Sequence, residues 1–443
     1  MRAQHMALLA TVLLASSVSA AELSAIVQKP SVDVYAQPRP DAPKVTTLKR
    51  DTAVKIFAQQ GLWYQLQMPA GAPGFVRVND VRIAYADLES GEGNVRALMG
   101  GKAGEGRVSE TAGVRGIDES DLKSASLDQA QLNAMIGYRV DAAAAATYAA
   151  GQGRQSTSVA YAGEAEGGRS AGTAAAAAAP AKSKPAKSAS SLLGSLGREF
   201  SSMLGDAAKV IPKSDDEVAA EELALGPEIA GRILGARPLW NDAGAQQRVN
   251  LVGRWVASQT SRPDLPWTFG VIDTPEVNAF AAPGGFILIA RGLYELLSSD
   301  SELAAVLGHE ISHCVQGDHY NVIRKQEMAT YGKDLALKDV DSGSQSAASG
   351  YARRYAEEHG AAIMLTSLDR EAEYHADEAA EIYLARAGMN PLALYAVLQK
   401  MTALGGESAR LAQLYKTHPP LDARLDRIDR RGYGALEPYV TRE

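Results

Sequence analysis

Ser299-Asp300-Ser301-Glu302-Leu303-Ala304-Ala305-Val306-Leu307-Gly308-His309-Glu310-Ile311-Ser312-His313-Cys314-Val315-Gln316-Gly317 is the stretch whose reading orders the rest of the chain. Ser299 and Glu302 are spaced as a capping box, Asp300 complements the positive end of a helix dipole, and Gly317 offers a stop, so the segment predicts a helix. On a helix, His309 and His313 lie one above the other, and both imidazoles can reach a single zinc ion at about 2.0–2.1 Å. Glu310 falls beside them, too far round to ligate easily. It is placed to act as a general base toward a water molecule that the ion acidifies. Leu303, Leu307, Ile311 and Cys314 or Val315 form the opposite stripe, which predicts anchoring in a core, with Cys314 as buried filling.

Two imidazoles do not complete a metal centre. His319 has the spacing of a third ligand in HExxHxxGxxH, but that pattern needs glycine at 316, where this chain has Gln316. Glu373 and Asp377 lie four apart in a second helical stretch that Gly388 and Pro391 end. The spacing suits a carboxylate ligand at Glu373 and, at Asp377, an acceptor for the outer N–H of a ligating histidine. Taken alone, that acidic segment reads as a solvated face; beside HExxH it reads as the missing ligand. His375 is turned about 200° from Glu373 and reads as a surface residue.

Outward from these two segments the chain divides. Of its 443 residues and seven histidines, the six from His309 to His418 fall in the last part, so the chemistry is expected there. Residues 1–20 read as a signal peptide, with Arg2, an apolar run from Met6 to Ala15, and Val18-Ser19-Ala20 before a cleavage site. Residues 21–86 alternate short apolar strands, such as Val32–Tyr35, Ala53–Phe57 and Trp63–Leu66, with Gly and Pro clusters, which predicts a small all-β barrel. Residues 87–190 turn to Gly, Ala and Ser and read as a flexible linker with short helices possible around Asp118 to Ile136. Residues 191–443 form the mainly α, α+β third domain. A net charge of −7 without a long charged block argues against nucleic acid as a partner. Cys314 is the single cysteine, so neither an internal disulfide nor a lipid-attachment cysteine is expected, and no further run is apolar enough for a membrane span.

From about Glu221 to Arg431 the sequence resembles the zinc metallopeptidase family of the bacterial HtpX, the mitochondrial Oma1 and the CAAX prenyl proteases, which are gluzincins. The resemblance rests on segments matching in order: Glu221-Glu222-Leu223 to Gly226, Val277-Asn278-Ala279-Phe280-Ala281-Ala282-Pro283-Gly284-Gly285, Gly292-Leu293, HExxH, Glu373 with Asp377, and His418-Pro419-Pro420 with Arg424. It implies His309, His313 and Glu373 as ligands of one zinc ion per chain, Glu310 as catalytic base and Asp377 as the supporting carboxylate. Asp369 stands where related sequences have serine. The resemblance also implies that Asn278, Ala281, Pro283 and Gly284 belong to an edge strand that binds extended peptide. His418 is expected either to enter the cleft, at the oxyanion or at the ion's open position, or to be a plain surface residue. The order of features in 21–86 similarly resembles bacterial SH3-like domains, implying a cell-wall or peptide ligand, with Trp63 as either core residue or ligand platform.

The resulting expectation is a periplasmic or secreted zinc endopeptidase acting on unfolded or misassembled proteins. The alternative from the same residues is a chaperone-like envelope protein that binds peptides and cuts rarely.

Overall fold

The computed structural model describes residues 22–68, 72–84, 98, 116–161, 163, 215–331, 345–406 and 408–441. The expected signal peptide and the Ala-rich run at 174–179 lie outside them.

Seven strands form the N-terminal sheet: β1 Leu23–Val27, β2 Ser31–Tyr35, β3 Lys44–Lys49, β4 Ala53–Gln60, β5 Trp63–Gln67, β6 Pro73–Arg77 and β7 Val81–Ile83, in the order 3-2-6-5-4-1-7 with antiparallel neighbours. Alternation decides which face is inside: Leu23, Ala25 and Val27, then Val32 and Val34, are buried while the residues between them are more exposed. Gln60 pairs with Trp63 across a two-residue turn in which Gly61 takes φ 58°, a conformation glycine adopts at little cost. This is the small all-β unit that the sequence pattern suggested, and it fits the resemblance to SH3-like domains. Trp63, however, is 5% exposed, meets Tyr35 edge-on at 5.6 Å and lies under the Arg77 guanidinium at 4.6 Å. Arg77 in turn donates to the carbonyls of Val440 and Thr441. The ring is therefore a packed residue rather than an open platform.

Within the stretch read as linker, the short helices expected around Asp118 to Ile136 are present, and the order extends over 116–161. Three short helices, α1 Glu119–Ser124, α2 Gln129–Gly137 and α3 Ala142–Gly151, begin at aspartates whose carboxylates accept backbone N–H groups: Asp118, Asp128 and Asp141. Leu122, Leu132 and Met135 are buried in one cluster with Ile229 and Ile233 of α4, Asp215–Ala236. Gly231 and Gly235 make this contact possible, because a Cβ on Gly235 would stand 1.9 Å from the Ser126 carbonyl and one on Gly231 2.8 Å from Leu127. An Ala- and Gly-rich composition thus conceals a close-packed segment, since small residues bring backbones together as readily as they loosen a tether.

Helix α5, Ala243–Ala257, covers a three-stranded sheet of β8 Thr268–Ile272, β9 Ala279–Ala282 and β10 Phe286–Ala290. The order is β8-β10-β9, with β9 antiparallel to β10 at an edge. The central helix α6, Asp300–Gln316, follows, then α7 Asp318–Tyr331, α8 Gln345–His359, α9 Arg370–Arg386, α10 Leu392–Thr402 and α11 Leu421–Arg431. Every residue of α6 from Glu302 to Val315 is buried, so its polar stripe faces other helices rather than water. Barrel and helices share one apolar core running from Leu23 to Val440.

A candidate metal centre between two helices

The cap reading of α6 holds at Ser299, whose hydroxyl accepts from Glu302 N at 3.2 Å, and at Gly317, which closes the helix at φ 68°. Glu302 reaches one residue further back than a capping box requires. Its carboxylate accepts from Ser298 N at 2.7 Å and pairs with the buried Lys400 ammonium at 2.7 Å. Helix α9 starts at Asp369, whose carboxylate accepts from Glu371 N at 3.0 Å, so the residue that departs from the family pattern is itself a good N-cap.

These two helices lie against each other, and where they meet four side chains converge. The ligand-capable atoms of His309, His313, Glu373 and His418 all lie within 4.8 Å of one another. His309 Nε2 is 3.2 Å from His313 Nε2 and 3.5 Å from Glu373 Oε2; His313 Nε2 is 3.9 Å from Glu373 Oε1, and His418 Nε2 is 3.6 Å from Glu373 Oε2. Burial of Glu373 to 1% exposure leaves Oε2 with no hydrogen-bond donor. An orphaned carboxylate oxygen facing imidazole nitrogens calls for a cation. The spacing agrees, because tetrahedral ligands about 2.0–2.1 Å from zinc stand about 3.3–3.4 Å apart.

The outer nitrogens are already engaged. His309 Nδ1 faces Asp377 Oδ1 at 3.0 Å, and Asp377 is gripped by both arms of the Arg424 guanidinium, at 2.9 and 2.5 Å. His313 Nδ1 faces Asp318 Oδ2 at 2.8 Å. Each carboxylate accepts the Nδ1 proton and so leaves Nε2 facing the cluster as the nitrogen that a metal ion would take, displacing any proton there. Asp318 and Arg424 were missing from the sequence-based site. Asp318 could have been found from the left-handed Gly317, which folds the next residue back toward the helix end; Arg424 had only its place beside the His418-Pro-Pro segment.

Charge follows from this packing. Burial opposes protonation of His309, as does Arg424, yet the Asp377 and Glu373 carboxylates outweigh both and raise its pKa to about 9. Burial likewise opposes charge on Glu373, and the imidazoles around it more than compensate, holding its carboxyl well below the usual range. Glu310, 5% exposed, is shifted the other way: desolvation raises its pKa, which makes its carboxylate a stronger base. Cys314 donates to the Ala282 carbonyl at 3.4 Å and burial pushes its thiol up, so it acts as core filling that joins α6 to β9.

A cleft of about 290 Å³ opens onto the cluster, lined by Ala279, Phe280 and Ala281 of β9, by Glu310, and by His319, Thr417 and His418. His319 stands in the wall with its ring 6.0 Å from that of His313, outside the four-residue group. Among the four residues expected to bind substrate, Ala281 lines this cleft. Pro283 and Gly284 form a turn covered by α4, with Gly284 N 3.4 Å from Glu222 Oε1 and the Pro283 carbonyl packed on Gly226. Asn278 is buried and gives its carbonyl to Ala290 N. His375 is half-buried, with Nε2 2.7 Å from the Tyr161 hydroxyl.

Residues 244–432 match the sequence profile of peptidase family M48. That stretch, which holds His309, His313, Glu373 and His418, is similar to the family. The chain is similar to the beta-barrel assembly-enhancing protease of Escherichia coli K12, 28% identical over 206 residues that make up 46% of this chain and 42% of the relative. It is also similar to the mitochondrial metalloendopeptidase OMA1 of Schizosaccharomyces pombe, 26% identical over 181 residues, 41% of this chain and 51% of the relative. The metalloprotease YcaL of E. coli K12 is 26% identical over 163 residues, 37% of this chain and 61% of that protein. The chain thus spans less than two thirds of each of these relatives. No described helix is long and apolar enough to cross a membrane.

Proposed function

We propose that this chain is a zinc-dependent endopeptidase of the bacterial cell envelope, periplasmic or secreted, that cuts unfolded or misassembled proteins. One observation carries the reading: Glu373 of α9 comes within 3.9 Å of both HExxH imidazoles and leaves a buried oxygen without a donor. His309, His313 and Glu373 would hold the ion, and Asp377 and Asp318 would fix the two tautomers. Bound there, zinc would polarise the scissile carbonyl and acidify a water molecule. The Glu310 carboxylate would take that water's proton and return it to the leaving amide nitrogen. The free edge of β9 would align an extended segment of substrate by main-chain hydrogen bonds, which recognise backbone more than sequence and suit unfolded chains. The envelope location is supported by the signal-peptide reading of residues 1–20 and by the printed name of the E. coli relative.

Casein digestion tests the reading. Chelation is expected to abolish cleavage and added zinc to restore it; digestion unaffected by a chelator would sink the proposal.

His418 acts in this reading as a removable fourth ligand. The Thr417 hydroxyl lies near the carbonyls of Gln413 and Leu414, at 3.2 and 3.3 Å, so its proton has acceptors there and its oxygen is left for His418 Nδ1–H at 2.8 Å. That leaves Nε2 as a lone pair aimed at the cluster, and burial lowers the pKa of the ring to about 3, keeping it neutral. A neutral acceptor suits a metal ion better than an oxyanion. Accordingly, His418→Ala is expected to raise the initial rate of casein cleavage several-fold; a drop of tenfold or more would assign the ring to the oxyanion instead.

A further inference from the structure

Helix α11 touches the metal centre with one side and the barrel with another. Arg424 faces inward and holds Asp377 with a two-armed grip. Asp426, two residues on, is about 200° round the helix from it. There Asp426 and Asp429 are both taken by Arg82 of β7, the first at 2.9 Å, while the Tyr395 hydroxyl donates to Asp429 at 3.2 Å. The Arg82 side chain is 14% exposed while Asp426 and Asp429 are 54% and 32% exposed, so the guanidinium is sheltered and its two carboxylate partners meet water; what the pairs supply is geometry more than energy.

Arg82 is not free to wander. The fully buried Gln399 side chain of α10 bonds three backbone groups of the barrel: it accepts from Ile83 N at 2.9 Å and donates to the carbonyls of Val78 and Val81 at 3.0 and 2.7 Å. Gln59 of β4 donates to Glu302 on the first turn of α6 at 3.1 Å. The barrel is thus fixed to α10 and α6, and Arg82 projects from it onto α11. Helix α11 begins directly after His418-Pro419-Pro420, so a shift of this helix moves the His418 loop and Arg424 together.

We infer that Arg82 is a positioning residue for the metal centre, and that the SH3-like barrel is part of the catalytic unit rather than a tether. By setting where α11 lies, Arg82 fixes Arg424, and through Asp377 the ring of His309. A forked guanidinium–carboxylate pair tolerates little displacement, so the connection is geometrically demanding. The inference rests on the zinc reading above and adds to it a part of the chain outside the M48 match.

The test uses the full chain loaded with zinc, with release of zinc to a chromogenic chelator followed well below the thermal transition. Direct loss of an outer partner of a ligating histidine typically weakens metal affinity about 10–100-fold, and Arg82 acts one step further out. Arg82→Ala is therefore expected to speed release about 3–10-fold and to lower kcat with KM little changed, because β9 is untouched; Arg82→Lys should recover much of the effect. The double variant Asp426→Asn/Asp429→Asn, altered at positions 54% and 32% exposed, should reproduce it and add nothing to Arg82→Ala when combined. It also serves alone if Arg82→Ala does not fold. Zinc release at the wild-type rate in these variants, whatever their melting temperatures, would overturn the inference and leave the metal centre standing. A wild-type chain that binds no zinc would overturn both.

Discussion

Glu310→Gln is expected to lower kcat/KM for casein by about 10²–10⁴-fold, the usual contribution of a positioned general base, with zinc content and thermal transition as in the wild type. The size of the effect follows from position. Glu310 lines the cleft next to His309 and His313, yet it is not one of the four residues whose donor atoms converge. Its carboxylate is buried and its pKa raised by desolvation, so it holds a transferred proton more readily than an exposed glutamate does. Glutamine keeps the shape and removes only the basicity. Equal zinc content in the two proteins, measured by elemental analysis, makes the rate comparison one of proton transfer alone. Undiminished digestion would mean that another group does this work and would remove Glu310 from the mechanism. His319, another titratable group in the cleft wall, is poorly suited as a substitute, since burial and the neighbouring His313 lower its pKa to about 3.

The cluster of His309, His313 and Glu373 was legible because its signals are local and periodic. HExxH puts two rings on one helical face, ExxxD puts a carboxylate and its neighbour on another, and Ser299, Gly317, Gly388 and Pro391 mark where those helices begin or end. The alternating strands of the barrel were legible for the same reason. What sequence concealed was contact between distant segments. Arg82 and Asp426 are 344 residues apart, and nothing in either neighbourhood announces the pair. Short helices were expected around Asp118 to Ile136, but not their packing on α4: the Gly231-to-Gly235 spacing there is a groove only because Ser126 and Leu127 fill it. The family resemblance placed Pro283 and Gly284 at a substrate-facing edge; what sequence did not show is that their turn also lets α4 close over it.

Arg424→Met should cost about 3–5 kcal/mol of folding stability in the zinc-free protein, the usual penalty for stripping one partner from a buried pair. Arg424 is 4% exposed and Asp377 3% exposed, so the abandoned carboxylate would have the His309 ring as its remaining partner and little access to water. Working without zinc matters, because metal binding to the native state would mask part of the loss. The companion variant separates charge from geometry. Arg424→Met/Asp377→Leu leaves no unpaired charge, and apolar replacement of both members of a buried pair is often neutral, so most of the lost stability should return. Zinc affinity should not return with it. His309 would have no acceptor at Nδ1 to fix its tautomer, and a 10–100-fold weaker affinity is the order of loss such outer partners usually show, about as stated for metal-ligating histidines generally. Urea unfolding of the zinc-free proteins measures the first quantity and competition with a chelator the second. Should the double variant prove as unstable as Arg424→Met, the penalty would lie in lost packing of the arginine stem rather than in a stranded charge, and Asp377 would owe its low pKa to His309 more than to Arg424. Recovery of stability without recovery of zinc binding would instead show that Asp377 and Arg424 are kept for the metal, as the two-armed grip on the residue behind His309 implies.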